Sequence, residues 1–329
     1  MTKKRLPLTV IGGFLGAGKT TLLNRWLQDA KGVRMAVLVN DFGAINIDAD
    51  LIAATSSDTV ALTNGCVCCQ IGDDLTSALI RVLETTPPFD AVVVEASGVS
   101  DPWRIAQMGR ADPELSLDGV VVLVDASAAL AQSRDPLLVD TLERQLKAAD
   151  LIVVNHCDHA TADERTRVGD WIASIAGATP QFETTQARVP LPMLSGLALP
   201  AVHQARVSAA PVSCDPHEHA EGAHAHEHDD PDHGTLFDTW SCRPSRVFSA
   251  EALRALLRGM PTGVLRLKGV LRTDEHGWAE LQFAGRHGSL HKALAVPVAG
   301  AAIVAIGLRH QLPSQALGVA LEAAGSDVA

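Results

Sequence analysis

Short apolar runs alternate with amphipathic stretches through the first half of the chain. Leu6 to Ile11, Met35 to Val39, Val60 to Thr63, Ala91 to Val94, Gly119 to Val124 and Leu151 to Val154 read as strands. Between them, Asp74 to Glu84, Leu138 to Ala148 and Asp163 to Ala176 carry apolar residues at helical spacing. Near-continuous runs such as Val120-Val121-Val122-Leu123-Val124 suit strands buried on both faces. The alternation predicts an α/β fold, a parallel sheet with helices on both faces. In the second half, Ala250 to Leu257 reads as a short amphipathic helix, strand-like runs follow, and Gln315 to Ala324 reads as a final helix.

The first apolar run leads into Gly13-Phe14-Leu15-Gly16-Ala17-Gly18-Lys19-Thr20-Thr21. Leu22, Leu23, Trp26 and Leu27 then recur at helical spacing. Strand, glycine-rich loop and helix therefore stand in the order of a phosphate-binding loop. Backbone N–H groups of Gly13, Gly16, Ala17 and Gly18 can turn inward on phosphate oxygens, Lys19 can reach the outer phosphates, and Thr20 can ligate Mg²⁺. Thr21 opens the helix, whose positive dipole end adds to the cradle.

In a parallel sheet, ligands gather beyond the carboxyl ends of the strands. Asn40-Asp41-Phe42-Gly43 follows Val39, and Asn64-Gly65-Cys66-Val67-Cys68-Cys69 follows Thr63. Val94 is followed by Glu95-Ala96-Ser97-Gly98, and Val154 by Asn155-His156-Cys157-Asp158. Glu95 is expected to hold Mg²⁺ or its water, and Gly98 to bring a backbone N–H to the terminal phosphate. Lys19, Glu95 and Asp41 form the candidate catalytic set, with Asp41 serving nucleotide or metal. Asn155 and Asp158 suit guanine, because an aspartate accepts from both N1–H and the exocyclic amine and adenine offers no such pair. Asp125, at another strand end, is a helix cap or a ligand contact, and the pattern does not decide between them.

The phosphate loop, Asn40-Asp41-Phe42-Gly43, Cys66-Val67-Cys68-Cys69 and Glu95-Ala96-Ser97-Gly98 together resemble the CobW-like metallochaperone GTPases. That resemblance covers nearly the whole chain. It implies a P-loop GTPase domain related to the hydrogenase and urease nickel-insertion GTPases, and a smaller α+β C-terminal domain. Gly263 to Gly269 and Ile303 to Gly307 are similar to that family's C-terminal strands. Two positions depart from the pattern: Asp41 stands where many members carry glutamate, and His156 where the guanine-reading motif usually has lysine.

Three sulfurs within four residues, Cys66, Cys68 and Cys69, can converge on one soft or borderline ion. Zn²⁺ fits best by ligand type, with Co²⁺ and Ni²⁺ as alternatives, and the fourth ligand is not readable. Cys66 and Cys69 also form a C-x-x-C pair that a redox-regulated GTPase could use.

From Val207 to Cys242 the composition changes. The span has no lysine or arginine and holds eight acids. It also contains His217, His219, His224, His226, His228 and His233 with little apolar content. It is expected to be a disordered linker whose histidines capture metal weakly, so a metal buffer is a further reading. The expected divisions are a GTPase domain over 1–190, a linker over 191–242 and a C-terminal domain over 243–329.

Composition narrows the partners. The formal charge is −11 and there is no tyrosine, so neither the basic face nor the stacking platform of a nucleic-acid binder is present. The apolar start is interrupted by Pro7 and Gly12-Gly13, and Ala293 to Leu308 is broken by Pro297, Gly300 and Gly307. Neither suits export or a membrane span, which makes the cytoplasm, with reduced thiols, the expected compartment. The expected enzyme is therefore a GTPase, GTP and water giving GDP and phosphate, with Mg²⁺ and a transition metal. Its expected partner is a metalloprotein client; nothing in the sequence sets the oligomeric state.

Overall fold

The computed structural model describes residues 5–30, 32–39, 60–63, 71–196, 236–293, 296–297 and 300–325. They belong to two units, Met1–Leu194 and Ser195–Ala329. In chain order the first unit runs β1 (Leu6–Gly13), α1 (Lys19–Asp29), β2 (Met35–Val39), β3 (Val60–Thr63), α2 (Ile71–Glu84), β4 (Ala91–Glu95) and α3 (Pro102–Ala111). It continues with β5 (Leu115–Asp125), α4 (Ala129–Gln132), α5 (Val139–Ala148), β6 (Leu151–Asn155), a 3₁₀ turn (Cys157–His159), α6 (Ala162–Ala176), β7 (Gln181–Glu183) and α7 (Leu191–Leu194).

The seven strands form one sheet in the order β3-β2-β4-β1-β5-β6-β7, and every neighbouring pair is parallel. The valine- and leucine-rich runs explain this placement. Leu8, Val10, Val92, Val94, Val120, Val122 and Ile152 pack into one core cluster with Leu79, Val82, Ile105, Leu146, Val168 and Ile172 from the helices. Residues one position away, among them Ile11, Val37, Val93, Val121 and Val153, point the opposite way and are equally buried. Helix α1 buries Leu22, Leu23 and Trp26. A strand with both faces covered has no polar side to alternate, which is why these runs read as continuous.

The strand order places the β1 carboxyl end between those of β4 and β5, where consecutive connections leave in opposite directions. That is the crevice in which open parallel sheets hold ligands. All six expected strands are present; β7, α3 and the one-turn helices α4 and α7 are additional. β7 has three residues, too few to give a periodic signal, and α3 is marked by Asp101 as its cap and Pro102 as its first residue rather than by a long apolar stripe.

The second unit contains β8 (Phe237–Cys242), β9 (Val247–Phe248), α8 (Ala250–Arg258), β10 (Arg266–Thr273), β11 (Gly277–Ala284), β12 (His287–Lys292), β13 (Ala302–Leu308) and α9 (Ser314–Ala324). Its main sheet is antiparallel in the order β12-β11-β10-β13-β8, with β9 alongside β10. Leu253, Leu257, Leu317 and Leu321 from the two helices pack with Leu267, Leu271, Leu281, Ile303 and Ala305. This is the expected α+β arrangement. β8 corrects the expected boundary at 243, because the sheet already begins at Phe237. Phe237 and Cys242 are buried, while the four residues between them are all half-buried and do not alternate, so the acid-rich composition upstream hid the strand. Among the described residues no helix is long and apolar enough to cross a membrane.

Candidate nucleotide site

The loop between β1 and α1 sits in the crevice. Gly13 ends β1, Gly16 is exposed at the tip, and Ala17 is buried with its N–H donating to the Phe14 carbonyl at 3.3 Å. Gly18 is the N-cap of α1 with φ 99°, a left-handed conformation that side chains adopt reluctantly. A Cβ there would also stand 2.4 Å from Asn155 Nδ2. Lys19 is buried in the first turn, and its ammonium donates back to the Phe14 carbonyl at 3.1 Å, which curls the cation over the loop. Thr21 is exposed.

Thr20 Oγ1 donates to Glu95 Oε1 at 3.0 Å. Glu95 ends β4 and is almost wholly buried. A buried carboxylate and a hydroxyl converging at the end of a phosphate loop are hard oxygen donors of the kind Mg²⁺ takes. The turn beyond Glu95 lies against the phosphate loop: the Ala96 N–H donates to the Ile11 carbonyl at 2.8 Å. A Cβ on Gly98 would meet Leu15 Cδ2 at 2.5 Å and Leu15 N at 2.9 Å, so only glycine permits this approach.

Asn155, at the end of β6, is fully buried. Its Nδ2 donates to the Ala17 carbonyl at 3.0 Å and its Oδ1 accepts from the Ala187 N–H at 2.8 Å. The residue therefore bolts the phosphate loop to the loop after β7. Gln186 and Ala187 hold positive φ there, 51° and 54°. Arg25 of α1 donates to the Gln186 carbonyl at 2.8 Å, tying the same loop from the other side. Asp158, in the 3₁₀ turn, keeps its carboxylate about half exposed, with His159 Nε2 at 3.5 Å.

His156 enters that turn with φ 58° and ψ 34°. Its Nδ1 lies 3.0 Å from Asp125 Oδ2, and its ring stacks on His159 with centroids 5.7 Å apart. Asp125 Oδ1 also accepts from the Ser127 N–H at 2.9 Å and the Ser127 hydroxyl at 2.7 Å. Burial raises the Asp125 pKa, but the Ser127 and His156 contacts outweigh it and hold the carboxyl below the usual range. Asp125 thus both caps the turn and anchors the residue standing in place of lysine. Cys157 is buried and its thiol donates to the Val154 carbonyl at 3.2 Å. Burial pushes that thiol up, which keeps it a packing residue.

The structure thus brings Lys19, Thr20, Glu95, Gly98 and Asn155 around one loop. Asp41, Cys66, Cys68, Cys69 and His217, His219, His224, His226, His228 and His233 lie outside the described residues. Among the described residues no group of three His, Cys, Asp or Glu side chains is arranged to hold a metal. Sequence reasoning missed Arg25, Gln145 and the Gln186-Ala187 pair. Gln145 left a signal: it falls on the buried stripe of α5 between Leu142 and Leu146. The loop after β7 left none, since its role is carried by backbone.

Two family models match this chain. The "CobW/HypB/UreG, nucleotide-binding domain" matches residues 7–183, and the "Cobalamin synthesis protein cobW C-terminal domain" matches residues 237–325. The Sinorhizobium zinc chaperone CobW is 34% identical over 297 residues, covering 80% of this chain and 81% of that one. The Escherichia coli zinc chaperone YjiA is 34% identical over 197 residues, covering 57% and 60%. The crystal structure of Zn(II)-bound YjiA GTPase from E. coli aligns with a TM-score of 0.45 at 23% identity, over 98% of this chain and all of that one.

Proposed function

The chain belongs to the CobW/HypB/UreG family, and from that premise we propose that it is a zinc metallochaperone driven by GTP hydrolysis. GTP and water become GDP and phosphate in the first unit, and the nucleotide state sets the affinity for zinc. The metal is then handed to a metalloprotein client.

Each nucleotide-site residue has a role that its position supports. Backbone N–H groups from Gly13 to Thr21 and the Lys19 ammonium carry phosphate charge. Thr20 and Glu95 would hold Mg²⁺, and bound there the ion would neutralise charge developing on the phosphates. The Gly98 turn faces the terminal phosphate. Asp158 reads guanine, and Asn155 acts on the base through the two loops it joins. Asp41 is assigned to the nucleotide or metal end of the site from its place after Val39 in the chain.

Zinc rather than cobalt or nickel is the cargo, on the thiolate character of Cys66, Cys68 and Cys69 and on the names of the relatives. The single observation that carries the coupling is a register. Val39 pairs with Glu95 on one side and with Thr63 on the other. With strands spaced at about 4.8 Å, Glu95 and Thr63 are roughly 10 Å apart at one level of the sheet. The cysteine segment begins three residues beyond Thr63 in the chain. A loop reordered by the terminal phosphate therefore has only one strand between it and the start of the metal-binding segment.

Competitive zinc titration with GDP and with a non-hydrolysable GTP analogue tests this. The analogue is expected to tighten zinc about tenfold relative to GDP, which corresponds to about 1.4 kcal/mol of coupling. Equal zinc affinities in the two states would leave a GTPase with no delivery cycle.

A further inference from the structure

Gln145 is a buried amide on a helix whose neighbouring inward positions are leucines. An amide in such a place costs stability unless it is paired. Its Nε2 donates to two carbonyls of one turn, Gly98 at 3.0 Å and Ser100 at 3.1 Å. That turn is closed by the Ser100 N–H and hydroxyl on the Ser97 carbonyl, at 3.0 and 2.9 Å. It follows Glu95 directly and presses on the phosphate loop at Leu15. Gln145 also lines the small apolar cavity beneath Phe14, Leu15 and Ala17.

We propose that Gln145 is a positioning residue for GTP hydrolysis: by fixing the Gly98 and Ser100 carbonyls it sets where the turn presents its N–H groups to the terminal phosphate. The inference rests on the GTPase reading and deepens it. A carbonyl and the following N–H share one rigid peptide plane. Holding Gly98 C=O toward α5 therefore sends the Val99 N–H the opposite way. Two donors from one side chain fix two planes of the turn together, so the turn moves with α5 or breaks both bonds. GDP has no terminal phosphate for the turn to meet. Losing the latch should therefore weaken hydrolysis and the distinction between the two nucleotides, and leave GDP binding alone.

The test uses Gln145→Met in the full chain, which keeps the shape and removes both donors. The expected result is a kcat for GTP about tenfold lower, a small part of what a lost preorganised donor can cost, with KM changed less than threefold. GDP affinity should stay within about twofold, while the preference for a non-hydrolysable GTP analogue over GDP falls about fivefold. Ile172→Ala, in the core on α6, serves as a stability control and should lower the melting temperature without changing kcat. If Gln145→Met does not fold, Gln145→Leu replaces it. It also carries no donor for the two carbonyls, and the same kcat loss is expected. A folded variant with wild-type kcat, or an equal loss in Ile172→Ala, overturns the proposal while leaving the GTPase reading intact. A wild type that does not hydrolyse GTP overturns both.

Discussion

Asp158 and Asn155 sit three residues apart and do different work. The Asp158 carboxylate is half exposed, with His159 Nε2 at 3.5 Å, whereas both ends of the Asn155 amide are committed to backbone. Asp158→Asn should weaken GTP by about tenfold or more and improve xanthosine triphosphate, because the new amide donates to the xanthine carbonyl. Equal wild-type affinity for GTP and ATP would defeat the assignment. Asp125 gives a second case. Its folded pKa is depressed, so its contribution to stability is present above the ordinary carboxylate value near 3.8 and is lost as pH falls through the lower folded value. Asp125→Asn should therefore cost about 1.5 kcal/mol near neutrality, the lower end of the scale of one hydrogen bond to a charged group. In chemical denaturation the gap to wild type should close as the pH drops below 4; a gap that widens there would contradict the pairing. Residue types made Lys19, Thr20, Glu95 and Asp158 stand out in the sequence, since each carries a charge or hydroxyl that the proposed chemistry requires. The partner of Asp125 was not legible, because His156 lies 31 positions away and only the pairing of β5 with β6 brings them together.

Helix α6 follows the 3₁₀ turn that carries Asp158 and starts with a reciprocal cap. The Glu164 N–H donates to Thr161 Oγ1 at 3.3 Å, and the Glu164 carboxylate accepts from the Thr161 N–H and hydroxyl, both at 2.9 Å. Those bonds hold the Glu164 carboxyl below its usual range. Thr161→Ala removes the two bonds made by the hydroxyl, keeps the backbone N–H bond to Glu164, and should lower the melting temperature by about 2–4 °C, with GTP affinity little changed. A large loss of affinity would mean that α6 is needed to hold the turn in place. At this scale the sequence was most informative where burial was two-sided: the valine runs of β4, β5 and β6 announce themselves. It was least informative at β7 and β8. One is too short for a pattern, and the other adjoins a stretch whose histidines and acids mask two buried ends.

At the scale of the molecule, two family models match at 7–183 and 237–325, leaving the His- and acid-rich segment between them. Its composition offers too little apolar surface for a core, so deleting Pro216 to Gly234 should leave melting temperature and GTP turnover unchanged. The same deletion should remove several weakly held metal ions, and that loss should also appear in the intact protein below about pH 6, where free imidazoles protonate. The deleted protein is then the right background for the cysteine site, because the histidines no longer compete for zinc. In it, replacing Cys66, Cys68 and Cys69 by alanine should abolish the dependence of zinc affinity on nucleotide while GTP affinity in the absence of zinc changes less than about threefold. The separation follows from the sheet. In the proposed site the phosphates lie at the ends of β1 and β4, whereas the cysteines follow β3, which is two strands from β4. Linkage then gives a second reading of the same coupling: if GTP tightens zinc tenfold, zinc must tighten GTP tenfold. Titrating the GTP analogue with and without zinc measures that side independently. Zinc that still tightens the analogue in the variant lacking all three cysteines would place the coupling on a second metal site and not on the three thiolates.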